Sequence, residues 1–196
     1  MNDEPVRSFI AVELSSELIR RLKDYQAGLG AARLRCVKWV DPGAIHLTLK
    51  FLGNVDRGRL EAVKDAAAGV ARAYSSMQLT TGGLGFFPGP QRARVFWLGL
   101  EGDIQELVRL QQDIDRAMAK LGFEKENRPF TAHLTLARLR DECSSAERLE
   151  FTGMVGATVF KPGPPVPVRA VALMRSQLTP RGPIYTRLAE FPLQGR

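Results

Sequence analysis

The chain has 196 residues, 44% of them hydrophobic and 25% charged, a composition that fits a soluble globular protein and excludes fibrous and disordered chains. The net charge of +7, carried by 21 Arg and 7 Lys against 21 acidic residues, favours an anionic partner, because guanidinium forks match phosphate oxygens in pairs. No apolar run approaches the ~18 residues of a membrane span, and the polar start lacks a secretory pattern, so a cytoplasmic protein without membrane contact is expected.

Residues 6–13 (VRSFIAVE) predict a first strand. Ser15 or Ser16 can then cap a helix ending near Leu29, with Leu18, Ile19, Leu22, Tyr25 and Leu29 on one apolar stripe. A short strand at 37–40 leads through the turn Asp41-Pro42-Gly43 into a strand at 45–52, which Gly53 and Asn54 break. Asp56 can cap a second helix, marked by Leu60, Val63, Ala67, Val70 and Tyr74.

Strands at 77–85 and 92–100 flank a loop at 86–90 that contains Phe86 and Phe87. Asp103 and Glu106 have capping-box spacing before a helix that Gly122 stops. A strand follows at 131–139, then a polar stretch at 141–149 that reads as a short helix or a loop, then strands at 152–160, 166–178 and 184–191 between Pro- and Gly-rich turns. This order predicts an α+β protein with antiparallel or mixed sheets, and no Gly-rich phosphate loop opens any helix. Cys36 and Cys143 are expected to be free thiols.

The chemistry concentrates in one word that occurs twice, His46-Leu47-Thr48-Leu49 and His133-Leu134-Thr135-Leu136, and it holds the only two histidines of the chain. On a strand, each histidine shares a face with its threonine, roughly 6.6 Å away at about 3.3 Å rise per residue, so both can touch one phosphate. A zinc site needs a further ligand, and no HExxH spacing occurs. A serine hydrolase lacks its G-x-S-x-G elbow. Two imidazoles that titrate near neutrality suit acid–base chemistry at phosphorus, with the threonine hydroxyls holding the oxygens where charge grows.

These residues carry a resemblance. The paired words, Arg7-Ser8-Phe9-Ile10-Ala11, the stretch from Arg92 to Trp97, Asn127-Arg128-Pro129-Phe130 and Ser176-Gln177-Leu178 together resemble the two-histidine (2H) phosphoesterases, within them the LigT-like RNA 2′,3′-cyclic phosphodiesterases. The resemblance implies one domain over 1–196 with two intimately packed lobes. These are related by a pseudo-twofold axis, with helices on the outer faces, one motif per lobe and a central cleft. It implies hydrolysis of RNA 2′,3′-cyclic phosphate ends to 2′-phosphomonoesters without metal or cofactor, and joining of tRNA halves through a 2′-5′ linkage. His46 would be the proton donor, His133 the acceptor, and Thr48 and Thr135 the phosphate holders. A phosphodiesterase for 2′-5′ oligonucleotides or small cyclic nucleotides, and a non-catalytic RNA-end-binding module, are the alternatives.

Arg138 matches a further family position, although strict alternation places it behind His133, so either the strand bulges after Thr135 or the side chain works from the rim. Lys50 shares the parity of His46 and Thr48. Phe86, Phe87, Arg92, Arg94 and Tyr185 are candidates for base stacking and phosphate contact. Trp39 and Trp97 are expected in the core. A monomer is expected.

Overall fold

Alternating apolar residues build two antiparallel sheets, and helices with one apolar stripe close over them. The computed structural model describes residues 4–30, 34–180 and 182–195; the first three residues of the polar start and Arg181 of the last turn lie outside them. In chain order the elements are β1 (Val6–Val12), α1 (Ser16–Leu29), β2 (Val37–Trp39), β3 (Leu47–Val55), α2 (Leu60–Ala71), β4 (Met77–Phe87), β5 (Val95–Gly102), α3 (Ile104–Lys120), β6 (His133–Leu139), α4 (Ser145–Gly156), β7 (Val166–Val168), β8 (Ala170–Thr179) and β9 (Gly182–Pro192). One sheet has the order β3-β1-β8-β9 and the other β2-β6-β5-β4-β7. The α+β expectation holds, and every strand pairing described is antiparallel.

Apart from the three-residue strands β2 and β7, the order β-α-β-α-β occurs twice, as β1-α1-β3-α2-β4 and β5-α3-β6-α4-β8. Each run lends its last strand to the other sheet: β4 pairs with β5, and β8 pairs with β1. β1 is buried on both faces. Ile10 and Val12 enter the main core, whereas Phe9 and Ala11 join Ala172 and Met174 in a smaller cluster on the opposite face.

Several local expectations change: Asp56 makes no capping bond from its side chain, and Phe86 and Phe87 end β4 and do not form a loop. The strand at 45–52 begins only at Leu47 and runs through Gly53 and Asn54 to Val55, because Leu52 is left unpaired opposite β1 and Gly53 takes φ +70° to absorb the extra residue. Residues 152–160 are not a strand. Ser144 and Glu147 form a capping box that starts α4, which carries Phe151 and Val155, four apart, into the core. Asp103 does not cap its own helix; its Oδ2 accepts from the Gln78 amide at 2.8 Å instead. Cys36 and Cys143 are not free thiols but a disulfide. Pairing of β2 with β6 brings these two ends together across 107 residues of sequence.

β4 keeps its glycines for a reason that propensity alone hides. The Trp97 ring lies flat against the backbone of Gly85, so a Cβ there would sit 2.2 Å from the indole, whereas nothing lies within 4 Å of a Cβ at Gly83. Gly85→Ala is therefore expected to lower stability by about 1–3 kcal/mol, the usual cost of overpacking, and to shift the tryptophan emission. Gly83→Ala should leave both within experimental scatter. Urea melts followed by fluorescence compare the two.

Candidate active site

Each histidine is presented by the segment that precedes it. Asp41 Oδ1 accepts from the Gly43 amide at 2.7 Å and closes the turn that leads to Ala44, whose carbonyl accepts from His46 Nδ1 at 2.8 Å. The Thr131 carbonyl accepts from His133 Nδ1 at 2.7 Å in the same two-residue arrangement. A carbonyl only accepts, so Nδ1 carries the hydrogen in both rings and Nε2 is the free nitrogen. Neutral, each Nε2 is a base; protonated, it is an acid.

The strand then bulges after each word. Ala11 pairs with Thr48 and Ile10 with Lys50, which leaves Leu49 without a partner; Trp97 pairs with Thr135 and Phe96 with Ala137, which leaves Leu136 without one. One extra residue reverses the parity of all that follows. Arg138 thereby comes round to the face of His133 and Thr135, and these line one cleft of about 2090 Å³ with His46 and Thr48. Of the two possibilities the sequence left open for Arg138, the structure has the bulge.

The same device moves Lys50 away from Thr48. Although it borders the cleft, its Nζ bonds Asp115 Oδ1 at 2.5 Å and the Glu124 carbonyl, and the residue is buried. Lys50 thus ties β3 to α3 and is corrected from phosphate ligand to structural ion pair. Phe51 takes the exposed cleft position in the first motif that Arg138 takes in the second.

Aromatic rings enclose both imidazoles. Phe9 stacks on His46 at 4.6 Å and Tyr185 meets it edge-on at 5.0 Å. Phe87 meets His133 edge-on at 5.0 Å, with Trp97 behind it at 6.3 Å. This burial pushes both imidazole pKa values down; the carbonyl hydrogen bonds push them up, and the Arg138 charge pushes them further down. Burial also raises the Tyr185 hydroxyl.

Arg92, Arg94 and Tyr185 line the cleft as expected, with Arg94 3.7 Å from Asp141. Phe86 does not. Its ring packs on Phe96 at 5.3 Å and against Phe151, on the core side of β4, and the next residue, Phe87, faces the cleft instead. Trp39 is half-buried, packing on Phe96 and Phe151 while bordering the cleft, and Trp97 also backs His133. Phe87, a stacking candidate beside Phe86, does line the cleft, whereas Phe9 and Phe51 carry no mark of it in the sequence, because an apolar residue in a strand does not announce which face it takes. Among the described residues, the one cluster of metal-ligating side-chain types is Cys36, Cys143 and Glu147, whose sulfurs are bonded to each other.

Comparison with known proteins agrees with this geometry. The family described as LigT like Phosphoesterase matches residues 12–97 and again residues 98–185, one match for each histidine word. The RNA 2′,3′-cyclic phosphodiesterase of Methanothermobacter thermautotrophicus is 35% identical over 188 residues, 96% of this chain and 99% of that protein. The crystal structure of TT0787 from Thermus thermophilus superposes with a TM-score of 0.78 at 29% identity, covering 96% of this chain and 98% of that one. Escherichia coli LigT complexed with 3′-AMP superposes with a TM-score of 0.76 at 27% identity, covering 97% and 99%. With both words, both bulges and both halves accounted for, the chain belongs to the LigT-like phosphoesterase family.

Proposed function

We propose that the cleft hydrolyses a terminal 2′,3′-cyclic phosphate on RNA to a 2′-phosphomonoester, with one histidine as base and the other as acid. The observation that carries this reading is the pair of Nε2 atoms left free, from two different sheets, in one cleft. His133 Nε2 takes a proton from the attacking water. The water oxygen bonds phosphorus, the bond to the 3′ oxygen breaks, and protonated His46 gives its Nε2 proton to that leaving oxygen. Thr48 and Thr135 hydroxyls donate to the non-bridging oxygens, and Arg138 lies where their charge grows. Both proton transfers are supplied by side chains, so the step needs no metal.

RNA as substrate rests on the name borne by the Methanothermobacter relative, on a net charge of +7, and on exposed Arg92 and Arg94 beside the cleft. The same residues would join two RNA ends, such as tRNA halves, by a 2′-5′ bond when a ribose 5′-hydroxyl replaces the water. One chain supplies both histidine words, so the proposed chemistry needs no second copy and a monomer is proposed.

An RNA oligomer ending in a 2′,3′-cyclic phosphate, incubated with EDTA present, should yield a 2′-phosphate terminus. A 3′-phosphate would overturn the assignment of the acid, and unchanged substrate would overturn the enzyme reading. His46→Ala and His133→Ala should each lower kcat by roughly two to four powers of ten with little change in RNA affinity, the scale for loss of a general acid or base. The double variant should fall far short of the product of the two, since the residues act as a unit.

The pH dependence has a definite sign. Both imidazoles sit below the ordinary value of about 6.5, held there first by burial, so the free protein near pH 7 holds two neutral rings and must gain one proton to act. kcat/KM is expected to be bell-shaped with its maximum below pH 6.5. The kcat maximum should lie higher, because the bound phosphate anion stabilises the imidazolium. A profile flat from pH 5 to 9, with chemistry limiting, would contradict this.

A further inference from the structure

Two buried glutamines outside the words occupy matching places. Gln26 on α1 is 7% exposed and Gln111 on α3 is 5% exposed, low values for an amide side chain. The Gln26 Nε2 donates to the Leu136 carbonyl and to the Val40 carbonyl, each at 2.9 Å. The Gln111 Nε2 donates to the Leu49 carbonyl at 3.2 Å. Leu49 and Leu136 are the bulge residues within the two words, unpaired opposite β1 and β5 respectively. Each glutamine therefore holds the carbonyl at the point where the motif strand departs from regular pairing.

We infer that Gln26 and Gln111 are positioning residues for the catalytic groups, acting crosswise. α1 follows β1 and precedes the first word, yet its glutamine holds the bulge of the second; α3 precedes the second word, yet its glutamine holds the bulge of the first. A buried carbonyl needs a donor: Gln111 supplies one to Leu49, and Gln26 adds a second to Leu136, which also accepts from the Val40 amide at 2.9 Å, and in both places it is the glutamine donor that holds the bulged register. Without that donor the bulged and the regular register compete, and a one-residue slip sends Arg138 to the far face of β6 and Phe51 to the far face of β3. On β3 the need is sharper, because β3 is an edge strand with no neighbour beyond it.

Gln26→Met and Gln111→Met keep side-chain length and remove the donor. Nitrogen-correlated NMR of the two imidazoles in the full chain reads each histidine separately and without turnover. Although the roles of the histidines rest on the phosphodiesterase reading, this measurement can fail while that reading stands, and the reverse. Gln26→Met should shift the His133 resonances more than those of His46, which lies beyond the Val40 carbonyl that the same amide holds, and Gln111→Met should shift those of His46 and leave those of His133. Each should lower kcat about tenfold or more at nearly constant KM, as misplacement of positioned groups does. Arg138→Ala should cost little further in the Gln26→Met background and its full amount in the Gln111→Met background. Folded variants that perturb neither histidine, both equally, or the histidine of their own half would overturn the inference, as would full additivity of Gln26→Met with Arg138→Ala. Should a Met variant fail to fold, Gln→Glu at the same site donates only while protonated. The crosswise histidine should then report the carboxyl titration, and its silence would equally overturn the inference.

Discussion

A regular β-strand cannot place residues 133, 135 and 138 on one face, because side chains alternate and 138 has the wrong parity. The site exists because Leu136 is left unpaired opposite β5. That single insertion turns a word of two cleft-facing groups, an imidazole and a hydroxyl, into a set of three by adding a guanidinium. The twin insertion at Leu49 acts on a different residue and has the opposite chemical result. It carries Lys50 into an ion pair with Asp115 and brings an apolar ring, Phe51, to the cleft. One backbone device, used twice, adds a guanidinium to the cleft face of the second motif strand and an aromatic ring to that of the first.

The imidazoles show how opposing terms decide which atom reacts. The carbonyls of Ala44 and Thr131 stabilise an Nδ1–H in either charge state, whereas the enclosing rings and Arg138 disfavour the second proton. For both histidines burial is the largest of these influences, so the resting rings are neutral near pH 7 with Nε2 open. The tautomer is thus settled by local backbone before substrate arrives, and the proton that makes one ring an acid is favoured only when an anion enters. Two like groups in like surroundings can take unlike roles because a phosphodiester presents an attacking oxygen to one and a leaving oxygen to the other.

The words themselves were legible in the sequence, as were most strands and the apolar stripes of α1, α2 and α3, because those depend on spacing along a few residues. What failed depended on partners far away in the chain. Parity alone could not decide Arg138 or Lys50, since a bulge is a property of two strands in register. Phe86 and Phe87 are neighbours of identical type, and only the pairing of β4 with β5 says which faces Phe96 in the core and which faces His133. The disulfide of Cys36 and Cys143 depends on β2 meeting β6, which no local pattern announces. The helix α4 is a different case. Ser144-x-x-Glu147 stood in the sequence as a capping box, but the β-branched residues after it, Thr152, Val155, Thr158 and Val159, weighed toward a strand.

The exchange of strands between the halves explains how two separate sheets keep their histidines in fixed relation. Each sheet is built partly from the other half, through β4 and β8, so neither sheet is completed by the strands of one half alone. Ile10 and Val12 beneath the first motif and Phe96, Leu98 and Leu134 beside the second belong to one continuous core. Interiors packed to crystal-like density transmit displacement instead of absorbing it, so the separation of the two imidazoles is set by side chains that never touch the substrate. Repeat and exchange together give a site whose halves are made alike by sequence and held in place by one another.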